Sequence, residues 1–138
     1  MNVKIKLLPD GALPMRGSRE AAGYDIYAAE NVEIGSLEIA KIRTGVCFQM
    51  PPGFCGEIED RSSVASRGLV TIGRVIDSDY RGEVCVIFLN VKSYSQKIYK
   101  GDRIAQIKFE KIEKADFEIV KELDPSDRGK GGFGSTGV

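Results

Sequence analysis

The sequence contains no histidine and no tryptophan, and its three cysteines are odd in number. The missing histidine carries the most weight. It excludes Ser-His-Asp and Cys-His nucleophile chemistry, zinc deaminase chemistry and every metal site that depends on imidazole. Proton transfer in a catalyst built from this chain must run through a carboxylate, Lys, Tyr or Cys. Cys47, Cys55 and Cys85 lie 8 and 30 residues apart, a spacing that matches neither a zinc knuckle nor a C-x-x-C redox pair. In a reducing compartment they read as small buried hydrophobes. Net charge is absent as well, with 20 Lys+Arg against 20 Asp+Glu. A broad nucleic-acid-binding surface is therefore not expected, and an anionic ligand must be held by local charge placement. No apolar run approaches the ~20 residues of a membrane span. The opening MNVKIKLLPD lacks the apolar stretch of a secretion signal, so the expectation is a cytoplasmic protein with no membrane partner.

What remains is 138 residues of ordinary composition, 42% hydrophobic and 29% charged, enough for one core and too few for two. The apolar pattern is strand-like nearly throughout. Val3, Ile5 and Leu7 alternate with Lys4 and Lys6, which reads as a half-buried strand. Ile42, Thr44, Val46, Phe48 and Met50 alternate again until Pro51-Pro52-Gly53 stops the run. The stretch from Glu83 to Val91 is too apolar for an exposed edge and belongs in the middle of a sheet. Arg103 to Ile112 can be read with a helical period, but Ile107, Phe109 and the preceding Lys100-Gly101-Asp102 turn favour a strand. Gly and Pro punctuate the chain at short intervals, which points to an all-β sandwich, jelly roll or barrel. One short helix is expected around Ser62 to Ser66, with Ser62-Ser63 as its cap.

From Asp124 onward the apolar periodicity ends, and Gly129 to Val138 holds five glycines in ten residues. Such a tail cannot fill a core. Residues 1–123 therefore read as the folded body and 124–138 as a mobile tail. The tail carries Arg128, Lys130, Phe133, Ser135 and Thr136 among glycines that free their backbone amides, an inventory suited to a phosphorylated, ring-bearing ligand. Gly129, Gly131 and Gly134 satisfy G-x-G-x-x-G. A dinucleotide fingerprint must follow a strand and open a helix, and here the chain ends four residues later.

Four other segments stand out. Ala22-Gly23-Tyr24-Asp25 sets one carboxylate among small residues. Gly53 to Gly68 concentrates Arg61, Ser62 and Ser63 at the mouth of the short helix, where backbone N–H groups and an Arg fork suit a phosphate. Val75 to Val84 reads as a hairpin with Asp77, Asp79, Tyr80 and Arg81 crowded at its turn. Lys100 to Gln106 repeats a glycine turn followed by a strand. Each has a plain structural role available, since Asp favours turns and Ser caps helices. Their conjunction, in this order, is what changes the reading.

In order, AAGYDIYAA (21–29), PGFCGEIEDRSSVASRG (52–68), VIDSDYRGEV (75–84), GDRIAQI (101–107) and RGKGGFGSTG (128–137) resemble the five signature motifs of the trimeric dUTP pyrophosphatases, the dUTPases. The resemblance implies a distorted jelly-roll β-barrel, a homotrimer, Mg²⁺ dependence, and hydrolysis of dUTP to dUMP and pyrophosphate. It implies that Asp77 activates the water attacking the α-phosphorus and contacts the sugar 3′-hydroxyl. Tyr80 would lie where a ribose 2′-hydroxyl would sit. Asp25 is implied in the Mg²⁺ site, through coordinated water. Arg61, Ser62 and Gln106 match positions around the phosphates, and Ser63, Gly73, Val75 and Gly134 complete the implied contacts. Backbone near Cys85 would read uracil as a false base-pairing partner. Phe133 would stack on the ring, Arg128 would act as an arginine finger, and Ser135 and Thr136 would bond the terminal phosphates. Each site would draw on three chains: motifs one, two and four from one, the hairpin from another, the tail from a third.

The chain also departs from the family. Arg74 follows Gly73 where many members carry glycine ahead of Val-Ile-Asp, so its side chain must point away from the nucleotide or add charge to the pocket rim. Arg67 stands where lysine is common, and Asp60 is placed to pair with Arg61. Two rival readings remain at this point. A dCTP deaminase, or a bifunctional deaminase–dUTPase, shares the Arg-Ser-Ser segment but ends differently. A catalytically idle nucleotide-binding protein would have no need of Asp25, Asp77, Tyr80, Arg128 and Phe133 together.

Overall fold

The computed structural model describes residues 1–137; Val138, the last residue of the expected tail, lies outside the described residues. Ten strands and one short helix follow one another: β1 Lys4–Leu7, β2 Tyr24–Tyr27, β3 Val32–Ile34, β4 Ile39–Gln49, β5 Phe54–Asp60, α1 Ser62–Ala65, β6 Leu69–Ile72, β7 Val75–Asp77, β8 Val84–Asn90, β9 Gln96–Ile98 and β10 Arg103–Lys111. They form two four-stranded sheets, β1-β4-β8-β6 and β2-β10-β5-β7, and a two-stranded ribbon, β3-β9. All the pairings are antiparallel. This is the expected all-β jelly roll.

Period-two alternation explains which side chains meet in the middle. Ile42, Val46 and Phe48 from β4, Val84, Val86 and Phe88 from β8, Ile58 from β5, Ile26 from β2 and Ile107 from β10 form one core between the sheets, which Ile104 joins because the register of β10 shifts between Arg103 and Ala105. The run from Glu83 is central as expected, with β8 flanked by β4 and β6. Arg103 to Lys111 is a strand, and its pairing along β5 rules out the helical reading. Where β4 meets β8 the register shifts between Arg43 and Val46. Gly45 sits in that irregularity with φ +69°, and a Cβ there would come within 2.4 Å of Gly11 Cα. Only glycine fits both the left-handed backbone and the close approach.

Several expectations are corrected. β1 is exposed along all four residues, because it is an edge strand paired with β4 alone and none of the described residues covers its outer face. Helix α1 has Arg61 at its N-cap position with no side-chain cap bond; neither serine caps it. The three cysteines are free and only partly buried. The segment 75–84 is not a hydrogen-bonded hairpin. β7 pairs with β5 in one sheet while β8 pairs with β4 and β6 in the other. The chain changes sheet at Gly73–Arg74 and returns through residues 78–83, so these residues line the seam between the sheets.

The last strand ends at Lys111, and residues 113–130 are exposed. Phe117, Ile119 and Leu123 are 94%, 99% and 87% exposed. The segment just before the expected tail therefore lies off the barrel as well.

Candidate active site in two halves

The residues singled out from the sequence fall into two groups. The first occupies the phosphate-side motifs. β10 is the spine: Gln106 faces Asp25 on β2 and Glu59 on β5. Gln106 Nε2 donates to the Asp60 carbonyl at 3.0 Å, which fixes its amide. Its side chain crosses directly above Gly23, where a Cβ would lie 2.7 Å from Gln106 Oε1. Glycine is needed there so that the amide and the Asp25 carboxylate can share one depression.

Asp25 is held from two sides. Arg61 Nε donates to Asp25 Oδ1 at 3.0 Å, and Arg103 Nη1 lies 3.5 Å from Oδ2. A second nitrogen of Arg61 donates to the Arg103 carbonyl at 3.0 Å, and the same nitrogen reaches Ser63 Oγ at 3.5 Å. Asp60 does not pair with Arg61. Its carboxylate accepts instead from the Thr71 backbone N–H at 2.9 Å, which ties β5 to β6. Arg61, Ser62, Ser63, Asp25, Gln106, Gly23 and Arg103 line a cavity of about 440 Å³. Arg103 is a participant that the sequence reading passed over. Its only signal was a cation inside KGDRIAQ, beside a carboxylate already noticed.

The second group surrounds the sheet-crossing loop. Gly73, Val75, Asp77, Tyr80 and Cys85 line a cavity of about 300 Å³ together with Lys41, Ile76, Glu83, Val84 and Ile87. Tyr80 Oη donates to the Glu83 carbonyl at 3.0 Å, and its ring lies so close over Gly82 that a Cβ there would be 2.4 Å from the hydroxyl. Glu83 anchors the loop to the body, accepting from Gly45 N at 2.7 Å and from Arg43 Nε at 3.2 Å. Arg81 closes the turn by donating to the Ser78 carbonyl at 2.7 Å. Asp77 is exposed, and among the described residues no cation pairs with it. Burial, and then the charge of Glu83, raises the pKa of the Cys85 thiol. Cys85 is therefore a neutral wall of this cavity rather than a nucleophile.

β6 stops at Ile72, opposite Ile87. On that side β8 has no strand partner over residues 84–86, so its backbone edge is open to a ligand beside Cys85. The Arg74 side chain does not line this cavity. It reaches over β5 instead, where Nη1 lies 2.7 Å from Glu59 Oε2.

The two cavities do not merge. Asp77 faces Cys55 at the start of β5, whereas Arg61 follows its end. Six residues of strand separate those points by ~20 Å. The described tail residues line neither cavity. Phe133 is fully exposed with φ 52°, and Arg128 turns back to donate to the Gly131 carbonyl at 2.7 Å.

A jelly roll carrying a small cavity with an open strand edge, and a separate cradle of arginines and serines, defines a protein built for a phosphorylated, ring-bearing ligand. The dUTPase family model matches residues 10–137, and the chain belongs to the dUTPase family. It is thus an enzyme, a dUTP diphosphatase. A deoxyuridine 5′-triphosphate nucleotidohydrolase from Paramecium bursaria Chlorella virus 1 is 44% identical over 134 residues, covering 96% of this chain and 95% of that protein. The dUTPase of Staphylococcus bacteriophage 80alpha, solved with dUpNHpp, superposes with a TM-score of 0.92 at 32% identity over 99% of both chains. A dUTPase from phage phi11 of S. aureus, described with a structural Mg(II) ion, superposes with a TM-score of 0.84 at 25% identity over 91% of this chain and 100% of that one.

Proposed function

We propose that this dUTPase hydrolyses dUTP to dUMP and pyrophosphate at sites completed between subunits of a homotrimer, with Asp77 as the general base. The observation that carries this reading is the ~20 Å between the two halves. A base must lie within one water of the phosphorus it helps to attack, and reacting atoms must approach to ~3–3.5 Å. One nucleotide would have to bridge that distance to meet Asp77 and the Arg61 cradle of the same chain; it need not if the loop of one copy faces the cradle of another. The uncovered Phe117, Ile119 and Leu123 support assembly, since a strip of this kind wants a partner surface.

In this arrangement uracil enters the cavity beside Cys85. The open backbone edge of β8 offers an N–H to O4 and a carbonyl to N3–H. Cytosine leaves both unpaired, a mismatch that can discriminate by ~10⁴-fold. Tyr80, pinned through its hydroxyl to Glu83, packs against the deoxyribose and leaves no room for a 2′-hydroxyl. Gly73 and Val75 form the wall opposite. Arg61, Ser62, Ser63 and Gln106 take the phosphates of the nucleotide held by the neighbouring loop. Asp77 draws a proton from a water, and the oxygen attacks the α-phosphorus in line as pyrophosphate departs. The tail of a third copy supplies Phe133 to stack on uracil, Arg128 to meet developing charge, and Gly134, Ser135 and Thr136 to hold the terminal phosphates. Ten extended residues span up to ~35 Å, enough for such a reach.

The residues also bear on Mg²⁺. Among the described residues no group of three His, Cys, Asp or Glu side chains is placed to hold a metal. Asp25 stands alone and already accepts from Arg61 and Arg103. That donor set fits a Mg²⁺ carried on the triphosphate, with Asp25 held to it through the ion's water shell. When bound, Mg²⁺ supplies charge neutralisation for the phosphates. In the cell the reaction would limit uracil incorporation into DNA and supply dUMP for thymidylate synthesis.

A nucleotide panel assayed for pyrophosphate tests the reading. With Mg²⁺, dUTP is hydrolysed while dCTP, dTTP and UTP are left nearly untouched. Ammonia release from dCTP, or comparable rates on UTP, would contradict it.

A further inference from the structure

Between the two halves of the site, the outward face of the β7–β5–β10 sheet carries a chain of alternating charges. Arg74 Nη1 lies 2.7 Å from Glu59 Oε2, and Nη2 lies 3.9 Å from Glu57 Oε1. Lys108 Nζ reaches the same two carboxylates, at 3.2 Å to Glu59 and 3.7 Å to Glu57. Glu57 stands opposite Val75 on one side and Lys108 on the other.

The element this network grips is a weak one. β7 has three residues and a single neighbour, β5. It is entered through Gly73, at φ 61°, and left through a loop with no strand pairing of its own. Three ladder positions between two pliable connections hold a strand poorly. Yet Gly73 and Val75, on either side of Arg74, line the nucleoside cavity, and Asp77 ends the strand. The Arg74 carbonyl accepts from Ile58 N–H at 2.9 Å, so backbone and guanidinium both fasten this residue to β5.

We propose that Arg74 is a positioning residue for the hydrolysis: paired with Glu59 and backed by Glu57 and Lys108, it fixes β7 and so aims the Asp77 carboxylate. The inference rests on the reading of Asp77 as base, and it concerns a side chain that does not line the nucleoside cavity of its own chain. Arg74 is 40% exposed and Glu59 27%, so the pair is partly screened and its effect is a few-fold.

Steady-state kinetics on dUTP test it. Arg74→Ala lowers kcat about three- to fivefold and moves KM less than about twofold, because saturating nucleotide cannot restore the aim of the base. Glu59→Gln does the same, and the double variant loses no more than either single one. Arg74→Lys recovers part of the loss. Raising salt to about 1 M brings parental kcat down towards that of Arg74→Ala, whose own kcat stays level. Unchanged kcat in Arg74→Ala, or losses that multiply in the double variant, would overturn the inference. The underlying reading fails differently: Asp77→Asn in the parental background would then keep its turnover, whatever Arg74 does.

Discussion

Asp77→Asn leaves nucleotide binding intact and abolishes turnover, lowering kcat by about 10³-fold or more. The amide has the shape of the carboxylate and keeps its contacts, but it cannot accept a proton from water. General-base contributions of ~10²–10⁴ set the scale. The magnitude belongs at the upper end because the chain offers no histidine to substitute. Among the described residues no cation occupies the Asp77 carboxylate, which leaves it available for a water. Pyrophosphate release under saturating dUTP gives the rate, and calorimetry with an unhydrolysable analogue gives the affinity. Retained turnover would remove Asp77 from the role of base.

Deleting residues 128–138 collapses the rate by ~10³-fold, the scale of an arginine finger lost from other phosphoryl transfers. Assembly survives the deletion. The described tail residues line neither cavity of their own chain, and Phe133 is fully exposed. The apolar strip at Phe117, Ile119 and Leu123 precedes the cut and remains. Light scattering should therefore report the parental mass while dUTP hydrolysis nearly vanishes. A truncated enzyme with normal activity would refute the closing role of the tail.

Most strands were legible because alternation is a local property. Ile42, Thr44, Val46, Phe48 and Met50 are all buried, as their period requires, and the run after Glu83 is central for the reason its composition suggests. Partner choice is not local, and that is where the reading failed. Val75–Asp77 and Val84–Asn90 look like the two arms of a hairpin, yet each finds its neighbour in a different sheet. Ile5 and Leu7 have the alternation of a half-buried strand but lie at an edge that the described residues leave exposed. Phe117 and Ile119 alternate too, and they leave the barrel altogether.

The site shows the same division. Asp25, Arg61 and Gln106 were named from their motifs, and β2, β5 and β10 bring them together by register. The grip of Arg103 on Asp25 and the engagement of Asp60 by Thr71 depend on side-chain directions that no spacing reveals. The same holds for Arg74. Flanked by two cavity-lining neighbours, it carries its own guanidinium away from the cavity to pair with Glu59.

The central claim is that one catalytic site takes its base and its phosphate cradle from different copies of the chain. Complementation tests it most directly. Asp77→Asn and Arg61→Ala chains, each strongly impaired alone, are co-expressed with different tags, and the mixed trimers are purified and assayed on dUTP. Sites that pair the intact loop of one parent with the intact cradle of the other should recover activity, about one third of the sites in mixed cyclic trimers. Mixed trimers as inactive as their parents would mean that loop and cradle act within one chain.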